Sequence, residues 1–118
     1  MAIPGSVVRI GDYAFESCEA LTDVVISDGV TSIGTQAFGK CISLAGVTIP
    51  DSVTEISDMA FSRCSALAGI TIPESVTHIG RRVFNRCSGL TAVVVPDSTA
   101  MHYCVENDIA FQFPEAQD

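Results

Sequence analysis

Apolar positions recur along this chain in a fixed template of 23 residues. Beginning at Ile3, the rows read IPGSVVRIGDYAFESCEALTDVV, ISDGVTSIGTQAFGKCISLAGVT, IPDSVTEISDMAFSRCSALAGIT and IPESVTHIGRRVFNRCSGLTAVV. A fifth row, VPDSTAMHYCVENDIAFQF, begins in step and then departs. No insertion interrupts the four rows, and the second and third share 12 of 23 residues. Ile10, Ile33, Ile56 and Ile79 form one apolar column, and Phe15, Phe38, Phe61 and Phe84 another. Leu21, Leu44, Leu67 and Leu90 make a third, with Val24, Val47, Ile70 and Val93 three residues on. Such periodicity marks a stacked-repeat architecture, because one row alone cannot bury its apolar side chains.

Each row predicts three short pieces. The alternation Val47-x-Ile49 reads as a strand with one buried face, closed by Pro50, which has no N–H for a ladder. Val53-x-x-Ile56 reads as a second extended piece. Asp58 to Cys64 places Ala60, Phe61 and Cys64 at helical spacing, a turn or two of α or 3₁₀ helix. The expected fold is an α/β solenoid: a parallel concave sheet, short convex strands, helical turns and a C-terminal helical cap. Its repeats run 3–25, 26–48, 49–71 and 72–94, with a partial repeat and cap over 95–118, forming one domain over 1–118. Asp97 or Ser98 is expected to cap a helix running to Glu106, with Asn107 at a left-handed exit. Ala100, Met101, Cys104 and Val105, with Ile109 and Phe111, would cover the last coil.

Composition narrows the function classes. The chain has 118 residues, 47% of them hydrophobic, which excludes disorder. Six Lys and Arg against 14 Asp and Glu leave a net charge of −8. That sign argues against nucleic acid and anionic lipid as partners. No apolar stretch is long enough to span a bilayer, so membrane insertion is not expected. Five cysteines form no CxxC pair, and His78 and His102 stand near no cysteine pair, so the spacing of a zinc site is missing.

The rows resemble the BspA-like leucine-rich repeats of bacteria and protists through I-P-x-S-V-T-x-I-x-x-x-A-F-x-x-C-x-x-L-x-x-V-x, over residues 3 to 98. The tail from Val95 to Phe113 also looks like the end common in that family. The resemblance implies a noncatalytic protein-interaction module, with adhesion at a cell surface or after secretion. It implies partners such as host matrix or plasma proteins, fibronectin and fibrinogen among them. No secretory leader or lipid-anchor motif is legible in these residues.

Several columns are candidates for chemistry. Cys18, Cys41, Cys64 and Cys87 read as buried, reduced packing thiols, since parallel side chains resist the disulfide torsion. The acidic column Asp28, Asp51, Glu74 and Asp97 reads as turn chemistry, because its oxygens form a line and no calcium cage. Lys40, Arg63 and Arg86, with Arg81 and Arg82 beside them, form a basic stripe on the helical side. The concave face carries Asp23 and Val25, Gly46 and Thr48, Gly69 and Thr71, Ala92 and Val94. Of these Asp23, Val25, Thr48, Thr71 and Val94 are the candidate partner-binding residues, since repeat proteins bind through concave faces. No GxSxG, HExxH, Walker or GxGxxG motif occurs, so neither catalytic residues nor a cofactor or metal are expected. Row one lacks the strand that should precede it, which would leave Val7, Ile10, Phe15 and Leu21 as an apolar self-association end, suited to a homodimer. A structural spacer or scaffold without a ligand is the alternative reading.

Overall fold

In a computed structural model, residues 1–114 are described; the last part of the expected cap, 115–118, lies outside them. The strands are β1 (Ala2–Ile3), β2 (Arg9–Ile10), β3 (Asp23–Ile26), β4 (Ser32–Ile33), β5 (Gly46–Thr48), β6 (Glu55–Ile56), β7 (Gly69–Ile72), β8 (His78–Ile79) and β9 (Thr91–Val94). Helix α1 (Thr99–Glu106) and strand β10 (Ala110–Gln112) follow. Successive rows wind into coils, so corresponding strands lie side by side. A six-stranded parallel sheet runs β1-β3-β5-β7-β9-β10, and a four-stranded one runs β2-β4-β6-β8.

Between the sheets the columns pack on their own copies. Phe15, Phe38, Phe61 and Phe84 stack with ring centroids 5.3, 5.4 and 5.9 Å apart and planes within 8° of parallel. Phe38, Phe61, Leu44, Leu67, Ile33 and Ile56 are completely or almost completely buried. The segment expected as a helical turn is realised as consecutive tight turns. Each closes with an i→i+3 bond, as from Cys64 N–H to the Phe61 carbonyl, but Met59 and Arg63 take positive φ and stop a helix from propagating.

These turns also join the coils. The N–H groups of Tyr13, Phe15 and Ser17 donate to the carbonyls of Thr35, Ala37 and Gly39 at 2.8, 2.7 and 2.8 Å. Gln36, Phe38 and Lys40 donate likewise to Asp58, Ala60 and Ser62, and Met59, Phe61 and Arg63 to Arg81, Val83 and Asn85. Three bonds of the same register therefore cross every junction, in addition to the two sheets.

The 23-residue register is not kept throughout. Asp23 pairs with Gly46 and Thr48 with Thr71, but Ile70 pairs with Ala92 and Ile72 with Val94, a slip of one residue. A one-residue slip turns every side chain to the opposite face. Ala92 and Val94 are buried and Val93 turns outward, which overturns the expected outward placement of Val94 and inward placement of Val93. Ala92-Val93-Val94-Val95 is apolar without alternation, so nothing in its pattern holds it to the phase that Gly69-Ile70-Thr71-Ile72 fixes in the coil before.

The two ends also differ from expectation. Ala2–Ile3 does form a strand, paired in register with Val25 and Ile26, so the first row has its preceding strand in shortened form. Ile3 and Ile10 are buried, and Ile10 leaves the expected exposed end, while Val7, Phe15 and Leu21 are half-buried. At the other end Ser98 caps α1, its hydroxyl accepting from Met101 N–H at 3.1 Å. Asn107 has φ −110°, and the left-handed residue is Asp108 at φ 56°. Ala100 and Cys104 face the core, but Val105 is exposed. After α1 the chain returns to add β10 alongside β9.

Candidate functional site

The outward face of the six-stranded sheet gathers most of the residues expected to bind a partner. Alternation along each strand turns Val24, Val47 and Ile70 inward and leaves Asp23, Val25, Thr48 and Thr71 exposed. Val25, Thr48 and Thr71 are neighbours in register, and the slip in β9 sets Val93 beside Thr71 in place of Val94. Val25, Thr48, Thr71 and Val93 therefore form one continuous row. Gly46 and Gly69 follow Asp23 in the adjacent row and expose backbone there. Together they line a shallow groove of about 380 Å³. Its one charged lining group is the Asp23 carboxylate, which meets the amino terminus at 3.4 Å. Such a surface offers methyl groups, hydroxyls and open backbone, and no set of acids, bases or nucleophiles in contact.

The cysteine column is structural, except that Cys18, expected to be buried, is half-buried in the first coil. Cys41, Cys64 and Cys87 are buried, and each thiol donates to the carbonyl of Phe15, Phe38 or Phe61 at 3.1 Å in the preceding coil. Burial pushes the Cys64 thiol up to about 12 and that of Cys87 to about 11, so both are neutral at ordinary pH. Cys104 is buried as well, with its titration also raised by burial. Asp28, Asp51, Glu74 and Asp97 are all exposed. Two of the serines beside that column bond to the coil before, and among the described residues only Ser98 serves its own row, as the cap of α1. Ser52 and Ser75 reach back to the carbonyls of Val30 and Val53 in the coil before, at 2.7 and 2.8 Å. Among the described residues no group of three or more His, Cys, Asp and Glu is placed to hold a metal ion. No helix among them is long and apolar enough to cross a membrane.

Sequence reasoning missed Asp12 and Asp58. Their carboxylates accept from the N–H groups of Thr35 and Arg81 in the next coil, both at 2.9 Å. Each stands one coil before a glycine, Gly34 or Gly80, whose missing side chain admits the close backbone approach. The two-row recurrence of Asp and Gly was the signal that could have found them.

The chain matches the BspA type leucine rich repeat region in six copies over residues 1–108. The chain belongs to this family. As a BspA-type repeat protein it sets corresponding residues of successive coils side by side on one surface. Solved structures agree with that placement. A leucine rich cell surface protein from Faecalibacterium prausnitzii is 42% identical with a TM-score of 0.73, over 82% of this chain and 27% of that one. A leucine-rich repeat protein from Bacteroides capillosus is 35% identical with a TM-score of 0.68, over 77% of this chain and 74% of that one. The leucine rich repeat protein of T. pallidum is 27% identical with a TM-score of 0.65, over 78% of this chain and 56% of that one. This BspA-type chain therefore spans about half the length of the T. pallidum protein and about a quarter of the Faecalibacterium one. Among curated proteins none matches it.

Proposed function

We propose that the chain is the protein-binding module of a surface-exposed BspA-type protein, engaging its partner through the outward face of the six-stranded sheet. The observation that carries this reading is the continuous row Val25, Thr48, Thr71 and Val93 beside the glycine gaps at 46 and 69. An uncharged row with accessible backbone fits an apolar or hydroxyl-bearing loop of another protein. The likeness to a protein described as a leucine rich cell surface protein supports display outside the cell, and the partner class we propose there is a host matrix or plasma protein. Binding to an array of such proteins tests it, with Thr48→Arg/Thr71→Arg as the comparison. Retention on one partner, lost in the double variant, is expected. A blank array, or binding indifferent to the two arginines, refutes the assignment and favours a spacer.

A second reading concerns the first coil. Phe15 has a ring neighbour on one side only, and Val7 and Leu21 are half-buried beside exposed Val8 and Tyr13. Contact between copies through this surface would cover them. Light scattering across a concentration series reports it, and a monomer throughout excludes it.

A further inference from the structure

Each coil has a third side besides its two sheets: the run of tight turns that leads from the four-stranded sheet back to the six-stranded one. In coils two to four this side is made by residues 36–45, 59–68 and 82–91. These stretches hold four of the chain's six Lys and Arg and none of its 14 Asp and Glu. Lys40, Arg63 and Arg86 occupy one column, and Arg82 stands beside its last member. All four are exposed, and none is in an ion pair among the described residues. The backbone keeps the column in line. The N–H groups of Lys40 and Arg63 donate to the carbonyls of Ser62 and Asn85 in the next coil, both at 2.7 Å. Lys40, Arg63 and Arg86 share φ values of 60°, 62° and 62°, so their Cβ atoms leave the turns in the same direction. Two residues before them the rings of Phe38, Phe61 and Phe84 stand 5.4 and 5.9 Å apart, which gives the step from one charge to the next.

We propose that this column binds a linear sulfated polysaccharide lying along the solenoid axis, with a sulfate against each cation. The charge is a line with one cation per coil, and acids close both of its ends. Glu16 and Glu19 lie in the turns of coil one, and Asp108 stands on the cap near Arg86. At the edge of the stripe the Asp58 carboxylate is engaged by Arg81 N–H. A narrow chain fits between these acids, whereas a planar anionic surface would meet them as well. A sulfate on every sugar ring repeats at about one coil step. A glycan with a carboxylate on alternate rings would meet only every second cation. Ser65, Ser88 and the half-buried Asn85 flank the column with hydroxyl and amide groups that bond sugar hydroxyls. Phe38, Phe61 and Phe84 are turned into the core, so they offer no ring on which a nucleic acid base could stack. At Lys40 and Arg63 the main-chain donors are already engaged, so an acidic peptide would gain no strand-like pairing there. This side is separate from the outward sheet face and does not rest on the binding proposed for it.

Titration of the full ¹⁵N-labelled chain with a heparin hexasaccharide at low salt tests the assignment. Amide shifts should centre on residues 40, 63 and 86 and leave Val25, Thr48 and Thr71 unmoved. Lys40→Asn/Arg63→Asn keeps a residue type tolerant of positive φ and should weaken binding about ten-fold or more. Ser17 has φ 61° in the same column of coil one. Ser17→Lys therefore adds a rung and should tighten binding about three-fold or more, a gain that needs no folded double variant. Arg9→Asn, on the four-stranded sheet, should change affinity less than about two-fold. Unaltered affinity in Lys40→Asn/Arg63→Asn at an unchanged thermal midpoint overturns the proposal, as do shifts centred away from the column. Equal binding of desulfated heparin, of a hyaluronan hexasaccharide, of a hexaglutamate peptide or of phosphatidylserine vesicles overturns it too.

Discussion

Replacing Phe61 by alanine probes the stack at its most enclosed ring. Phe61 is fully buried, with Phe38 at 5.4 Å on one side and Phe84 at 5.9 Å on the other. Truncation gives up roughly 150–200 Å² of buried aromatic surface. At about 25 cal/mol per Å² this amounts to about 4–5 kcal/mol. Core Phe→Ala changes fall at about 3–5 kcal/mol once partial collapse of the cavity is included, and that is the expected loss. Two coil junctions weaken together, since the ring contributes to both. Phe15→Ala is the internal comparison: the same chemistry, half-exposed, with one stacked neighbour at 5.3 Å. It should cost about half as much or less. Urea unfolding followed by circular dichroism measures both, with the slope against denaturant reporting whether the coils still unfold together. A loss under about 1 kcal/mol for Phe61→Ala, or equal losses for the two variants, would refute stacking as the source of stability.

Gly34→Ala should cost about 1–3 kcal/mol, because its Cβ would lie 2.7 Å from the backbone of Gly11 and Asp12, whereas Gly11→Ala meets nothing within 4 Å and should be near neutral in the same assay. Ser98→Ala should destabilise the cap by about 1 kcal/mol through loss of the bond to Met101 N–H, read as a lower urea midpoint. The buried thiols set an alkaline limit. Burial raises Cys64 and Cys87 above the 9.0 of a free thiol, so their stabilising contribution is complete below pH 9 and is lost as pH rises through about 11 to 12. Urea midpoints should therefore fall above pH 9, and less steeply in Cys64→Ala than in the parent; identical slopes would contradict that origin.

The solenoid was legible because its columns repeat without interruption, and a column of Phe or Ile has one physical meaning when it recurs at fixed spacing. The cap was legible to within one residue, Asp97 or Ser98, because either oxygen before Thr99-Ala100-Met101 has an N–H to serve. The outward row was legible through Thr71 and was then misplaced by one residue at Val94. Gly-Val-Thr and Gly-Ile-Thr-Ile declare which side faces water, and Ala-Val-Val-Val does not. The left-handed turns at Tyr13, Lys40, Arg63 and Arg86 were not legible, since none is glycine and nothing in the local residue types marks a positive φ there. The same holds for Ser52 and Ser75, whose partners lie one coil away and leave no local trace.

The uniform junctions and the slipped strand together decide how such a chain can change its length. A block of one repeat unit cut between Leu44 and Leu67 carries matching edges at both cuts: the same strand phase, the same three turn bonds and the same ring stack. Its duplication in the gene would enlarge the protein without changing any neighbour's surroundings. A block cut through β9 has no such freedom, because the copy would meet the next strand one residue out of phase. Growth is thus open in the middle of the array and closed at its end, and the length of the outward sheet face can vary while the last coil and cap stay as they are.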